Sequence, residues 1–148
     1  MMWNDFILLV EDNPDDEELT LRAIKASKVT NPVVVVRDGA EALDYLFCTG
    51  DYAGRDRQIT PQVILLDLHL PKLGGLEVLE RLRADAHTRL LPVVVLTSSS
   101  EDSDIINSYR LGANSFVRKP VEYQKFIDTV SQLGKYWVHI NEPPPYLK

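Results

Sequence analysis

Val63-Ile64-Leu65-Leu66-Asp67-Leu68-His69-Leu70-Pro71-Lys72-Leu73-Gly74-Gly75 decides how the rest of the chain is read. Val63–Leu66 is a short unbroken apolar run, the pattern of a strand covered on both faces. It stops on a carboxylate, Asp67. Pro71, Gly74 and Gly75 then make a loop, and Leu76–Ala84 continues as a helix. One strand, a charged end, a loop and a helix form a unit, and the unit recurs on either side.

Toward the N-terminus, Phe6–Val10 is a second apolar strand, followed by the turn Glu11-Asp12-Asn13-Pro14. The acidic residues Asp15–Glu18 open a helix to about Ala26, where they suit the positive end of the helix dipole. Val33–Val36 is β-branched throughout and reads as a strand. A helix follows over Ala40–Phe47. Residues 49–62 break the rhythm with Gly50, Gly54 and Pro61 among charges, and read as an extended loop with room for one helical turn. Toward the C-terminus, Leu91–Thr97 contains a strand and Ser98–Ser100 caps a helix to about Leu111. Ser115–Arg118 is a short strand, Tyr123–Leu133 the last helix, and residues 136–148 a tail. Five strand–helix units imply an α/β fold, a doubly wound five-stranded parallel sheet with helices on both faces.

At 148 residues, with 45% hydrophobic and 26% charged, the chain fits one globular domain, core about 5–134, and leaves no room for a second one. The net charge of −6 argues against a nucleic-acid or anionic-membrane partner. No apolar run approaches the ~20 residues that span a bilayer, and the N-terminus lacks the basic region of a signal peptide. The lone Cys48 suits a reducing cytosol, so the expected location is cytoplasmic.

Sites in open α/β sheets form outside the carboxyl ends of the strands. Those ends carry Glu11 and Asp12, Asp67, Thr97 and Ser98, and Lys119 before Pro120. Clustered carboxylates need compensation, and Mg²⁺ takes a few carboxylates plus water and phosphate oxygens. A carboxylate also attacks phosphorus to give an acyl phosphate. Lys119, the Thr97 hydroxyl and backbone N–H groups at Leu68 and Ser98 supply donors for phosphoryl oxygens. Singly, each residue has an ordinary role: turn former, cap, strand residue, solvated lysine. Together, at four strand ends, they point to one site.

These pieces, with Phe6–Asn13, Val93–Ser98 and Gly112–Pro120, resemble the receiver domain of two-component response regulators, in family order from Ile7 to Leu133. The resemblance implies a flavodoxin-like (βα)5 fold and a phosphorylation switch. Asp67 is then the phosphoacceptor for a sensor histidine kinase. Glu11, Asp12, Asp67 and the His69 backbone carbonyl hold Mg²⁺. Thr97 and Lys119 contact the phosphoryl group, and Leu68 and Ser98 offer it their N–H groups. Phe116 stands where the family keeps a rotating aromatic, and the Lys119–Pro120 bond is expected cis. The 49–62 extension and the aromatic tail are similar to the small regulators paired with cyanobacterial phytochromes, which implies a light-sensing kinase partner and a homodimer.

Two other functions stay open. A phosphorylation-independent binding module on the same fold predicts an incomplete acidic site, whereas this one is complete. An aspartate-nucleophile phosphatase needs a second acid two residues after the nucleophile, and His69 stands there. Tyr136–Ile140 either packs back on the sheet edge or makes a dimer contact. Cys48 reads as a buried small hydrophobe, and Pro143–Pro145 as solvated.

Overall fold

The structure, a computed structural model, describes residues 5–145. The strands are β1 (Ile7–Val10), β2 (Val33–Val36), β3 (Val63–Leu66), β4 (Val93–Thr97) and β5 (Ser115–Arg118). The helices are α1 (Pro14–Ala26), α2 (Gly39–Phe47), α3 (Gly75–Ala84), α4 (Asp102–Arg110) and α5 (Tyr123–Gly134). All pairings are parallel, in the order β2-β1-β3-β4-β5. Strand order reverses between β1 and β3, so a crevice opens beyond their carboxyl ends. In register, Val10 lies beside Leu66, which places the loops bearing Glu11 and Asp67 together.

Side-chain alternation divides the core. Leu8, Val10, Ile64, Leu66, Val93 and Val95 meet Ala42, Leu46, Val78, Leu79 and Leu82 of α2 and α3. Ile7, Leu9, Val63, Leu65, Val94 and Leu96 meet Ala23, Ile24, Phe126 and Val130 of α1 and α5. At ~25 cal/mol per Å² of apolar surface, these two layers are the main source of stability. The N-terminus of α1 is fixed by Asn13, whose Oδ1 accepts from the N–H groups of Asp15 and Asp16 at 2.9 and 3.1 Å. No helix among the described residues is long and apolar enough to cross a membrane.

The extension is ordered. A 3-10 turn over Gly50–Tyr52 begins it, and Tyr52 stacks edge-on against Tyr45 at 5.0 Å. The Arg55 guanidinium lies 3.7 Å over the Tyr45 ring and donates to the carbonyls of Tyr45 and Ile59. Cys48 is half-buried at the left-handed end of α2 (φ +57°), not a fully buried hydrophobe.

The tail packs back, one of the two outcomes expected for Tyr136–Ile140: beyond Leu133 the chain continues helically through a wide turn over Lys135–Ile140. Trp137 and Val138 prolong the apolar stripe of α5 onto the core, and the Gln62 amide donates to the Val138 carbonyl at 3.0 Å. Burial of that stripe outweighs the low helix propensity of glycine. Pro143–Pro145 line a surface groove with Arg57, Leu90 and Pro92. Residues 146–148 lie outside the described residues.

Candidate functional site

Gly75 opens α3 where the chain passes close against itself. A Cβ there would lie 2.3 Å from the Asp67 carbonyl oxygen, so only glycine lets α3 start against the Asp67 turn. Asp67 is thereby held at the crevice, with 7% of its surface exposed. Its Oδ1 accepts from the Thr97 hydroxyl at 2.9 Å and the His69 N–H at 3.1 Å. Its Oδ2 accepts from Lys119 Nζ at 2.9 Å.

Lys119 is the hub. Its ammonium also donates to Glu11 Oε1 at 2.6 Å and Asp16 Oδ2 at 2.8 Å. An ammonium has three N–H donors, and each meets a carboxylate. Burial works to lower the lysine pKa, but the bonds to Asp16, Glu11 and Asp67 outweigh it and raise it. Burial likewise works to raise the Asp67 pKa. The Lys119, His69 and Thr97 donors reverse that and hold the carboxyl below its ordinary value. For Glu11 burial prevails over the Lys119 bond, and repulsion from Asp67 adds to it, so the pKa is pushed up to about 7.

Glu11, Asp12 and Asp67 each offer a carboxylate oxygen, all within 4.8 Å of one another. Three hard oxygen donors at the mouth of a crevice suit a hard divalent cation with water in its remaining positions. Asp12 is exposed and faces solvent, while Glu11 is 1% exposed and fixed from behind by Lys119. The sequence-predicted residues Glu11, Asp12, Asp67, Thr97 and Lys119 therefore meet. Ser98 lies at the exposed rim, lining a depression with Asp16, Lys119 and Pro120. Leu68 is buried, and its carbonyl accepts from the Gly75 N–H at 3.0 Å. Exposed His69 contributes its N–H to Asp67.

Phe116 is half-buried below the site. It pairs in register with Val95, on the same sheet face as Thr97. No peptide bond among the described residues is cis, so Lys119–Pro120 departs from expectation and is trans, the isomer that X–Pro bonds ordinarily prefer.

Asp16 is the residue the sequence reading missed. It belongs to the acidic first turn of α1, where helix-dipole compensation accounts for it without a site. The signal lay in position. Side chains in a first turn lean toward the helix N-terminus, and α1 begins two residues after Asp12.

A parallel five-stranded sheet whose crevice gathers an aspartate, three further acids, a hydroxyl and a lysine defines a phosphoacceptor domain. The chain belongs to the response regulator receiver domain family, which it matches over residues 7–131. It is similar to the phosphorylated cyanobacterial phytochrome response regulator RcpA (TM-score 0.88, 38% identity, 95% of this chain and 99% of that one). The bacteriophytochrome response regulator RtBRR shares 54% identity (TM-score 0.75, covering 95% of this chain and 84% of that one). The probable methanogenesis regulatory protein FilR2 of Methanothrix harundinacea is 39% identical over 138 residues, 93% of this chain and 86% of that protein.

Proposed function

We propose that the chain is a single-domain response regulator that accepts a phosphoryl group on Asp67 and signals through altered protein contacts. The observation that carries this reading is the convergence of Lys119 Nζ and Thr97 Oγ1 on the Asp67 carboxylate, each at 2.9 Å, beside Glu11 and Asp12. A lone pair of Asp67 attacks phosphorus of a kinase phosphohistidine. The O–P bond forms as the P–N bond breaks, and the bonding pair stays with the imidazole nitrogen. Lys119 and Thr97 stand ready to donate to phosphoryl oxygens, and the N–H groups of Leu68 and Ser98 complete the cradle. Glu11, Asp12, Asp67 and the His69 carbonyl would hold Mg²⁺, which when bound offsets charge on the transferring group.

Thr97 gives up its bond to Asp67 when it turns to the phosphoryl group. Phe116, diagonal to it on the same face, follows into the space left, and the surface of α4 and β5 changes. Ile106 and Tyr109 on α4, each about half exposed, are the apolar contacts there for a target. A phytochrome-type histidine kinase is the proposed partner, supported by the likeness to RcpA and RtBRR. The chain acts as a cytoplasmic homodimer, with Tyr136 and Ile140 exposed along the final helical turn as contact residues. Its catalysis is confined to its own phosphotransfer and slow dephosphorylation.

Incubation with Mg²⁺ and a small acyl phosphate, followed by mass measurement, tests the reading. A single phosphoryl gain that Asp67→Asn abolishes is expected. No gain, or an equal gain in the variant, overturns it.

A further inference from the structure

Asp16 lies outside the residues that the proposed phosphoryl chemistry requires, yet it holds Lys119 as closely as the acceptor does, at 2.8 Å against 2.9 Å. Its side chain differs from the other two carboxylates on the ammonium in access to water: 29% exposed, against 1% for Glu11 and 8% for Asp67. Of the three bonds, this is the one whose carboxylate can be rehydrated at least cost. Charge singles it out as well. Lys119 and one divalent cation together balance the three carboxylates that can hold that cation. Asp16 is a surplus negative charge in the pocket.

We propose that Asp16 is a positioning residue for phosphoryl exchange at Asp67. It holds the third N–H of Lys119 in the resting pocket and surrenders it to a phosphoryl oxygen. The inference rests on the reading of Asp67 as acceptor. An acyl phosphate carries about one more negative charge than the carboxylate it replaces. The surplus carboxylate therefore favours the cation and disfavours the phosphoryl group. It shortens the life of the acyl phosphate, in whose hydrolysis water oxygen bonds to phosphorus. The P–O bond to Asp67 then breaks with its pair returning to the carboxylate, and a proton leaves with inorganic phosphate.

The test uses Asp16→Asn, which keeps an acceptor oxygen and loses the charge, and Asp16→Glu, which keeps the charge. Calorimetry measures Mg²⁺ affinity, then affinity for beryllium fluoride, a phosphoryl mimic, at saturating Mg²⁺. In Asp16→Asn, Mg²⁺ is expected to bind about three- to tenfold more weakly and beryllium fluoride about three- to tenfold more tightly, the scale of one partly exposed charge. Phosphoryl lifetime lengthens by a similar factor, and Asp16→Glu stays near wild type. A structural role would weaken both affinities together. That result, unchanged affinities, or Asp16→Glu behaving as Asp16→Asn overturns the proposal. Should Asp16→Asn fold poorly in a thermal melt, Asp16→Ser carries the same opposed expectation. Wild type failing to bind beryllium fluoride, or Asp67→Asn binding it equally, removes the acceptor reading and this one with it. A normal wild type with an indifferent Asp16→Asn removes this one alone.

Discussion

Two cations of this molecule, one buried and one half-buried, have opposite surroundings. Lys119, at the carboxyl end of the sheet, faces three carboxylates. Arg83, at the far end of β4, faces only neutral oxygen. Its guanidinium donates to the carbonyls of Gly112, Arg89 and Leu91 at 3.0, 3.0 and 2.9 Å and to Asn114 Oδ1 at 3.1 Å. Burial lowers the Arg83 pKa, whereas bonds to carboxylates raise that of Lys119. Fixed backbone dipoles cannot be exchanged for a ligand, so Arg83 ties the loop after α3 to the loop before β5. Carboxylates can be reassigned to a metal or a phosphoryl group. The difference shows where the molecule is built to change.

The largest effect is expected from Lys119→Met. Removing one member of a buried ion cluster leaves uncompensated charge, at a cost of about 3–5 kcal/mol. Because the remaining carboxylates repel one another, that loss should shrink when Mg²⁺ is added or the pH is lowered. Phosphorylation by a small donor should fall by about a hundredfold or more. Denaturant melts with and without Mg²⁺ check the first point, and mass measurement over time the second. A loss of stability indifferent to both metal and pH would break the contrast.

Arg83→Met comes next, at about 2–4 kcal/mol, since several loop carbonyls and the Asn114 amide lose their donor. Here Mg²⁺ should restore nothing, and the folded variant should phosphorylate at the wild-type rate. Melts in parallel with Lys119→Met provide the comparison, and rescue of Arg83→Met by Mg²⁺ would overturn it.

The pocket should also show itself in pH. Glu11 has a pKa of about 7 in the folded protein against an ordinary 4.5. The folded state therefore binds its proton more tightly than the unfolded state does. Stability from this group is complete below about 4.5 and is lost as pH rises through about 7. The loss is on the order of 3 kcal/mol at 1.36 kcal/mol per unit. Asp67 works in the opposite sense at lower pH, its depressed pKa contributing stability above the unfolded value and losing it as pH falls. Denaturant midpoints from pH 4.5 to 8 without metal are expected to fall, and Glu11→Gln to flatten the decline.

The same contrast explains what the sequence disclosed. Strands ending on Glu11, Asp67, Thr97 and Lys119 were legible because a parallel sheet aligns its strand ends in one crevice, whatever the loops do. The extra helical turn in the extension was legible as a possibility from Gly50 onward. Asp16 was not, since an acid in a first turn already has a local explanation. Arg83 was not either: a basic residue in the last turn of α3 looks solvated until two loops fold over it. For the tail, packing back and a dimer contact both stayed open, because the burial of Trp137 and Val138 is a tertiary gain that spacing alone does not show.

The smallest effect concerns a third ionisable contact, lying between the two extremes. The Tyr52 phenol donates to Glu41 Oε2 at 2.7 Å, a neutral donor on a carboxylate. The Glu41 bond pushes the phenol pKa up to about 12, with burial adding to it. Glu41 Oε1 is engaged by the Arg37 N–H at 2.8 Å, so the carboxylate is fixed from both sides and is not free for reassignment. Tyr52→Phe should then cost about 1 kcal/mol, the ordinary worth of one hydrogen bond. The cost should be the same with and without Mg²⁺. Ultraviolet titration should show one fewer tyrosine ionising above the ordinary range in Tyr52→Phe than in the wild type, since burial raises Tyr45 in both. Mg²⁺ dependence of that cost would place Glu41 among the exchangeable carboxylates and extend the responsive region beyond the crevice.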